Sequence, residues 1–385
     1  MFILIAIIVV VPVFIFTLEV LFALLPLRKK NVSDIESQAA ITVLIPAHNE
    51  SGTIESTLIN IVQQLNENGR LLVVADNCTD NTAQVASAHG AEVIERFDKE
   101  RIGKGYALDF GIRHLVSNPP QVVIIIDADC VTEDGALELL ASTAINEDRP
   151  VQALYLMEYN KPNLKQRIAE FAWRVKNYVR PRGLANIGLP CQLMGTGMAF
   201  PWSIISTANL ATSNIVEDMK MGIDLATMGY APFFCSEAVV TSTFPELSSA
   251  ELSQRKRWEH GHLSLMSVLP GNMLHALLKR DKNLLAMTLD LLVPPITFLT
   301  LLTFAVFIIT FALFLVGYSG TPLIVSTVSV SLLALSVFFA WLFWGRKIIT
   351  FSDLLSVPFY IMSKIPIYIK YLFKRQKEWV RTNRD

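Results

Sequence analysis

The sequence predicts an α/β protein: a doubly wound, mostly parallel sheet domain joined to transmembrane helices. Three observations carry that expectation. Short runs rich in Val, Ile and Leu, at 41–46, 71–75, 91–94 and 122–126, alternate with stretches of helical periodicity, as in βαβ units whose strands are covered on both faces. The chain is 52% hydrophobic, more than a water-soluble domain of this size needs. The excess is concentrated at 1–27, 291–317 and 322–344, each long enough to cross a bilayer.

Taken in order, residues 1–27 carry a single charge, Glu19, and are followed by Arg28, Lys29 and Lys30. A secretory signal would begin with the basic residues instead. Basic residues after the span orient the downstream chain toward the cytoplasm. Arg346 and Lys347 follow the third apolar stretch in the same sense, after a hairpin turned at Tyr318–Thr321. The tail from Phe351 to Tyr371 is apolar but broken by Asp353, Pro358, Lys364, Pro366 and Lys370. It is expected to lie in the interface rather than to span. Residues 164–182, helical, basic and aromatic, suit an anionic lipid surface as well. The expected domains are a transmembrane helix over 1–27, a cytoplasmic domain with interfacial helices over 40–280, a transmembrane hairpin over 291–344, and an interfacial segment with a basic tail over 351–385.

Within 40–280 the strands Ile41–Pro46 and Leu71–Ala75 are separated by a helical pattern from Ser51. A second helix over 81–89, a strand over Ala91–Ile94 and a helix over Tyr106–Val116 lead to the apolar strand 122–126. In such sheets ligands bind beyond the carboxyl ends of the strands. Asp76, Asp127 and Asp129 stand at such ends. Extended alternation puts Asp127 and Asp129 on one side, where their repulsion calls for a cation. A hard divalent ion, Mg²⁺ or Mn²⁺, carrying a nucleotide's phosphates would supply it. A strand end followed by a helix cap would use the same residues.

Other classes are excluded or weakened. No GxGxxG follows the first strand, which argues against a dinucleotide oxidoreductase, and no GxxxxGK[ST] loop is present. The formal net charge of −1 gives no sign of nucleic-acid binding. Cys78, Cys130, Cys191 and Cys235 stand singly, as in a reducing compartment. His260 and His262 point apart on a helix and do not form a metal pair. Lys104, between Gly103 and Gly105 before a helix, suits either a phosphate neighbour or a surface loop. Glu217 and Asp218 open a helical pattern. They suit a general base or an acidic first turn complementing the helix dipole.

With these residues in view the segment resembles the membrane-integrated family 2 glycosyltransferases of GT-A fold, the kind that includes cellulose, chitin and hyaluronan synthases. The motifs are Asp76 in VVADNCTDNT, Asp127-Ala-Asp129, Glu217-Asp218 and Gln254-Arg-Lys-Arg-Trp258, in the expected order. The resemblance implies that Pro46, Asn49, Glu50 and Asp76 surround the base and ribose of a nucleotide-sugar donor, and that Lys104 lies near its diphosphate. Asp127 and Asp129 would hold Mg²⁺ or Mn²⁺, Asp129 more directly. Asp218, beside Glu217, would take the acceptor's proton. Gln254, Arg257 and Trp258 would lie beside the acceptor and diphosphate, with Gly195, Thr196 and Gly197 on the acceptor path. Ala75 departs from relatives that have a second aspartate there. The activity implied is inverting transfer from a UDP-sugar to a growing polysaccharide at a bacterial cytoplasmic membrane. Transfer to a single lipid acceptor, as in ceramide glucosyltransferase-like enzymes, and a silent nucleotide-sugar-binding subunit are the alternatives.

Overall fold

The computed structural model describes residues 2–26, 39–160, 162–212, 214–244 and 248–362, without the side chains of 248–253, 359 and 360. Two compact units emerge, one from residues 39–158 and 190–253 and the other from 2–26, 159–189 and 254–362.

The first unit is built on eight strands: β1 (Ile41–Ala47), β2 (Arg70–Asp76), β3 (Glu92–Arg96), β4 (Val122–Ile125), β5 (Cys130–Thr132), β6 (Val151–Glu158), β7 (Met198–Pro201) and β8 (Phe233–Thr243). They lie in the order β3-β2-β1-β4-β7-β6-β8-β5. The half from β3 to β4 is parallel, as the alternation of strands and helices predicts. Beyond β4 the sheet is mixed, because β7 runs antiparallel to both β4 and β6, while β6 and β8 are parallel. The reversal has a consequence for placement. Ile125 at the end of β4 pairs with Met198 at the start of β7, so the turn leaving β4 and the turn entering β7 lie side by side.

The helix Lys104–Leu115 packs on this sheet through Leu108, Ile112 and Leu115, against Leu44, Leu72, Val74, Val123 and Ile125. A Cβ on Gly111 would meet Leu44 Cδ1 at 2.7 Å and Val74 Cγ2 at 3.0 Å, so a side chain there would hold the helix off the strands. Each large aliphatic residue buried in this layer contributes about 1.5–3 kcal/mol. That packing fixes the helix start, and with it Lys104, near the carboxyl ends of β1 and β4.

The other unit contains three helices long and apolar enough to cross a membrane, Phe2–Ala23, Ile296–Leu315 and Thr321–Gly345, in the regions the sequence singles out. They pack through Val13, Phe16, Val20, Leu299, Leu333 and Ala340. Glu19, the one charge of the first apolar stretch, is buried against Arg180, whose Nε donates to its Oε2 at 2.6 Å. The same guanidinium donates through Nη2 to the Asp290 carbonyl at 2.8 Å and to its Oδ1 at 2.7 Å. Residues 164–186 form α-helix over Leu164–Arg174, a π-turn over Val175–Val179 and α-helix again over Arg180–Asn186. Within the wide turn the Arg180 N–H bonds to the Val175 carbonyl, five residues back. Pro181 explains it, since its ring lacks an N–H and crowds the carbonyl four residues earlier. The last stretch approaches the first helix so closely that a Cβ on Gly183 would stand 1.9 Å from the Glu19 carbonyl oxygen. Of the expected interfacial tail, Phe351–Met362 is helical; residues 363–385 lie outside the described residues.

Candidate active site

The Asp-Ala-Asp motif departs from its expected backbone. β4 ends at Ile125 and β5 starts at Cys130; Asp127, Ala128 and Asp129 turn between them, with the Cys130 N–H bonded to the Asp127 carbonyl at 3.2 Å. The alternation of an extended strand therefore does not govern which way the two carboxylates face. The turn does, because β5 must double back to pair with β8.

Lys104 is the hub of the site. Its Nζ donates to Asp127 Oδ1 and, at 2.8 Å, to the Gly195 carbonyl. Gly195 holds φ at 93°, the left-handed region that glycine enters freely. A Cβ there would stand 3.3 Å from Asp218 Oδ2 and 3.8 Å from the Lys104 ammonium. Lys104, Asp127, Gly195 and Asp218 thus converge, although 23 and 91 residues separate Lys104 from its two partners. Gly105 makes this possible. Its Cα lies so close to the 210–212 loop that a Cβ would be 2.5 Å from the Leu210 carbonyl oxygen.

Glu217 and Asp218 occupy the first turn of the helix Glu217–Thr227, which begins without a side-chain cap. Burial first, and then the Asp218 carboxylate, push Glu217 up to about 7 against the pull of Lys104. Burial would lower the Lys104 ammonium, but Asp127, Glu217 and Asp218 together hold it above the ordinary lysine range. Three carboxylates bearing on one ammonium leave a locus of negative charge at the carboxyl edge of the sheet.

A second group of predicted residues gathers at the ends of β1 and β2. Asp76 is buried and ion-paired with Arg96 at 2.6 Å. Burial raises its carboxyl even so, the Arg96 hydrogen bond only partly offsetting the cost. His48 Nδ1 lies 2.6 Å from the Asp76 carbonyl oxygen. Asn49, at φ 55°, accepts the Thr79 N–H on its Oδ1 at 2.7 Å. The Glu50 N–H donates to Thr82 Oγ1 at 2.8 Å. Pro46 is the penultimate residue of β1. Sequence reasoning missed Arg96; a charged residue closing a strand was its only signal.

The remaining expected residues divide. Thr196 joins the site by accepting the Asp127 N–H on its Oγ1 at 3.0 Å. Gly197 answers to packing, since a Cβ would meet Ala153 Cβ at 2.7 Å and Val240 Cγ2 at 2.9 Å. Gln254, Arg257 and Trp258 belong to the unit of apolar helices. There Gln254 is buried and Trp258 packs on Trp173 with ring centroids 4.8 Å apart. His262, buried on the same helix, has its Nε2 3.0 Å from the Leu291 carbonyl oxygen. Burial, then Lys176 and Arg180, lower its imidazole to about 4 and keep it neutral.

Residues 38–261 match the profile described as glycosyltransferase like family 2. The chain belongs to this family. Among curated proteins it is 26% identical over 259 residues to the poly-beta-1,6-N-acetyl-D-glucosamine synthase of Staphylococcus aureus, a match covering 64% of this chain and 60% of that protein. An uncharacterized glycosyltransferase of Mycobacterium bovis is 35% identical over 123 residues, 30% of this chain and 52% of the relative. The match thus spans little more than half the length of these relatives. Among solved structures, a mannosyltransferase of Pyrobaculum calidifontis in complex with GDP-Man and Mn²⁺ superposes with a TM-score of 0.59 at 17% identity, covering 98% of this chain and all of that one. The fold is that of a GT-A glycosyltransferase with apolar helices, and the chain is a glycosyltransferase of family 2. Among the described residues no cluster of three or more His, Cys, Asp or Glu is arranged to hold a metal unaided. Two carboxylates in one turn are nevertheless what Mg²⁺ or Mn²⁺ takes from a protein when phosphate oxygens complete its shell, so the residues fit such an ion.

Proposed function

We propose that this family 2 enzyme transfers a sugar, with inversion, from a nucleotide-diphosphate donor to a growing glycan at the membrane. The observation that carries the reading is the convergence of Lys104, Asp127, Gly195 and Asp218 at one edge of the sheet. Asp218 takes the proton of the acceptor hydroxyl as its oxygen attacks the anomeric carbon. The bond from that carbon to the diphosphate breaks on the opposite face, and the nucleoside diphosphate leaves with the electron pair. Lys104 offers its ammonium to the departing charge. Asp127 and Asp129 would hold Mg²⁺ or Mn²⁺, which when bound neutralises the diphosphate. Asp76, Asn49 and Glu50 would form the wall for base and ribose. Glu217 sits beside the base and keeps the locus acidic. Gln254, Arg257 and Trp258 would complete the acceptor side.

A UDP-sugar is the proposed donor, and the relation to a polysaccharide synthase supports a glycan acceptor. The catalytic unit would face the cytoplasm of a bacterial cell, anchored by the three apolar helices. The proposed domain limits are 40–280 for the catalytic part, with its interfacial helices, and 291–344 for the hairpin. With only three helices of spanning length among the described residues, transfer of one sugar to a lipid acceptor is the second reading.

The test uses the full chain purified in detergent with UDP-, GDP- and dTDP-sugars and Mg²⁺ or Mn²⁺. Metal-dependent release of one nucleotide diphosphate is expected. It should be lost in Asp129→Ala and fall by about 10²–10⁴ in Asp218→Asn. Unchanged turnover by folded Asp218→Asn overturns the assignment of the base. A ladder of long products supports the glycan acceptor; one chloroform-soluble product supports the lipid.

A further inference from the structure

We infer that Gln152 is a positioning residue that locks the turn before β7 to the Asp-Ala-Asp turn, acting through Thr196. The inference rests on the proposed function for the role of those two turns, and goes beyond it by naming a residue that touches neither substrate nor metal.

Gln152 is fully buried on β6, in a stretch, VQALYLM, that is otherwise apolar or aromatic. It lies opposite Met198, the first residue of β7. Its side-chain oxygen accepts the Met194 N–H at 2.8 Å. Its amide nitrogen donates to the Thr196 carbonyl at 2.9 Å and to the Ala153 carbonyl at 2.9 Å. One planar amide therefore grips the backbone on both sides of Gly195 and uses both of its N–H groups. The peptide between those grips carries the carbonyl that receives the Lys104 ammonium.

Thr196, also fully buried, carries the hold onward. Its Oγ1 accepts the Asp127 N–H at 3.0 Å and lies 3.5 Å from Cys130 Sγ, to which it donates. Asp127 and Cys130 bracket Ala128 and Asp129, so one hydroxyl spans the turn that bears both proposed metal ligands. The path Gln152, then the 194–196 backbone, then Thr196, then Asp127 links the acceptor side to the donor side through hydrogen bonds of ordinary length. A purely structural role makes poor use of this residue. A buried amide gains nothing over leucine unless the backbone it serves must be held where no strand neighbour can hold it.

The test measures binding of Mn²⁺ in the presence of saturating UDP, by the electron-paramagnetic signal of free Mn²⁺, on the full chain in detergent. Gln152→Met and Thr196→Val, both close in volume to the parent, are each expected to weaken Mn²⁺ binding about 10-fold, the worth of one or two aligned hydrogen bonds. If the two act along one path, the double variant binds no more weakly than the worse single. Leu140→Ala, in the core of the same unit, controls for lost stability alone: it should lower the melting temperature and leave Mn²⁺ binding intact. The inference is overturned if Gln152→Met lowers the melting temperature while binding Mn²⁺ like the parent, or if the double variant loses about 100-fold. Should Gln152→Met not fold, Thr196→Val decides, since unchanged Mn²⁺ binding there breaks the path. A parent chain that binds Mn²⁺ with neither UDP nor GDP overturns the proposed function of the site itself, a result distinct from variants that match a binding parent.

Discussion

Two cations in this chain are each set against several carboxylates, and the two settings serve opposite ends. Arg180 lies among the apolar helices with 9% of its side chain exposed, against Glu19 at 3% and Asp290 at 10%. Lys104 lies at the edge of the sheet with 18% exposed, against Asp127 at 33%. Arg180 spends its fork on partners fixed by two helices, and a planar guanidinium suits that use. Lys104 holds one carboxylate and one carbonyl, with solvent at hand and further negative charge from Glu217 and Asp218. A buried set whose partners are all protein is architecture. A half-open set with surplus charge is able to exchange partners, which is what the proposed diphosphate and metal would require.

The sharpest test removes each cation in turn. Arg180→Met strands two buried carboxylates and should cost about 3–5 kcal/mol, seen as a large drop in the melting temperature in detergent. A loss under about 1 kcal/mol would mean that water reaches those charges and would break the comparison. Lys104→Met should shift stability by no more than about 1 kcal/mol, because its pair is partly solvated. Its cost should fall on the donor, as a rise of at least about 10-fold in KM with the melting temperature little changed.

A smaller effect sharpens the electrostatic half. Glu217 is pushed up to about 7 from an ordinary value of 4.5, so the folded chain holds that proton to higher pH than the unfolded chain does. The stability this gives is complete below about 4.5 and is lost as pH rises to about 7. Metal-free protein should therefore lose on the order of 2 kcal/mol across that window, after discounting for partial exposure, and level off above it. Glu217→Gln should flatten that part of the profile; an unchanged slope assigns it to another group.

How much of this was legible beforehand depends on the range of the interaction. Strands at 41–47, 70–76 and 122–125 follow from β-branched runs, and the membrane-length helices follow from composition, because both patterns are local. The Asp-Ala-Asp turn was recognisable as a strand end, but not as a turn, since β5 must reach a strand, β8, that lies far downstream in the chain. The antiparallel β7 was invisible for the same reason. It sets the Gly195 turn beside Asp127 only through pairing with β4 and β6. Arg180 and Glu19 are 161 residues apart, and nothing in either local sequence names the other. A lone glutamate in an apolar span implies a partner but does not name it. Gln152 gave the faintest signal, a single polar letter in a buried strand.

The π-turn at Val175–Val179 also has a bearing on lineage. An extra residue in one turn offsets the two halves of the helix by about 100°. Phe171 and Ile168 on one side and Arg180 and Gly183 on the other each meet their neighbours in separate angular phases. The turn works as a vernier cut into the helix, and its setting is stored in chain length as well as in the Pro181 ring. A descendant that dropped one residue there would keep the contact-forming groups of both flanking helices and mis-aim half of them.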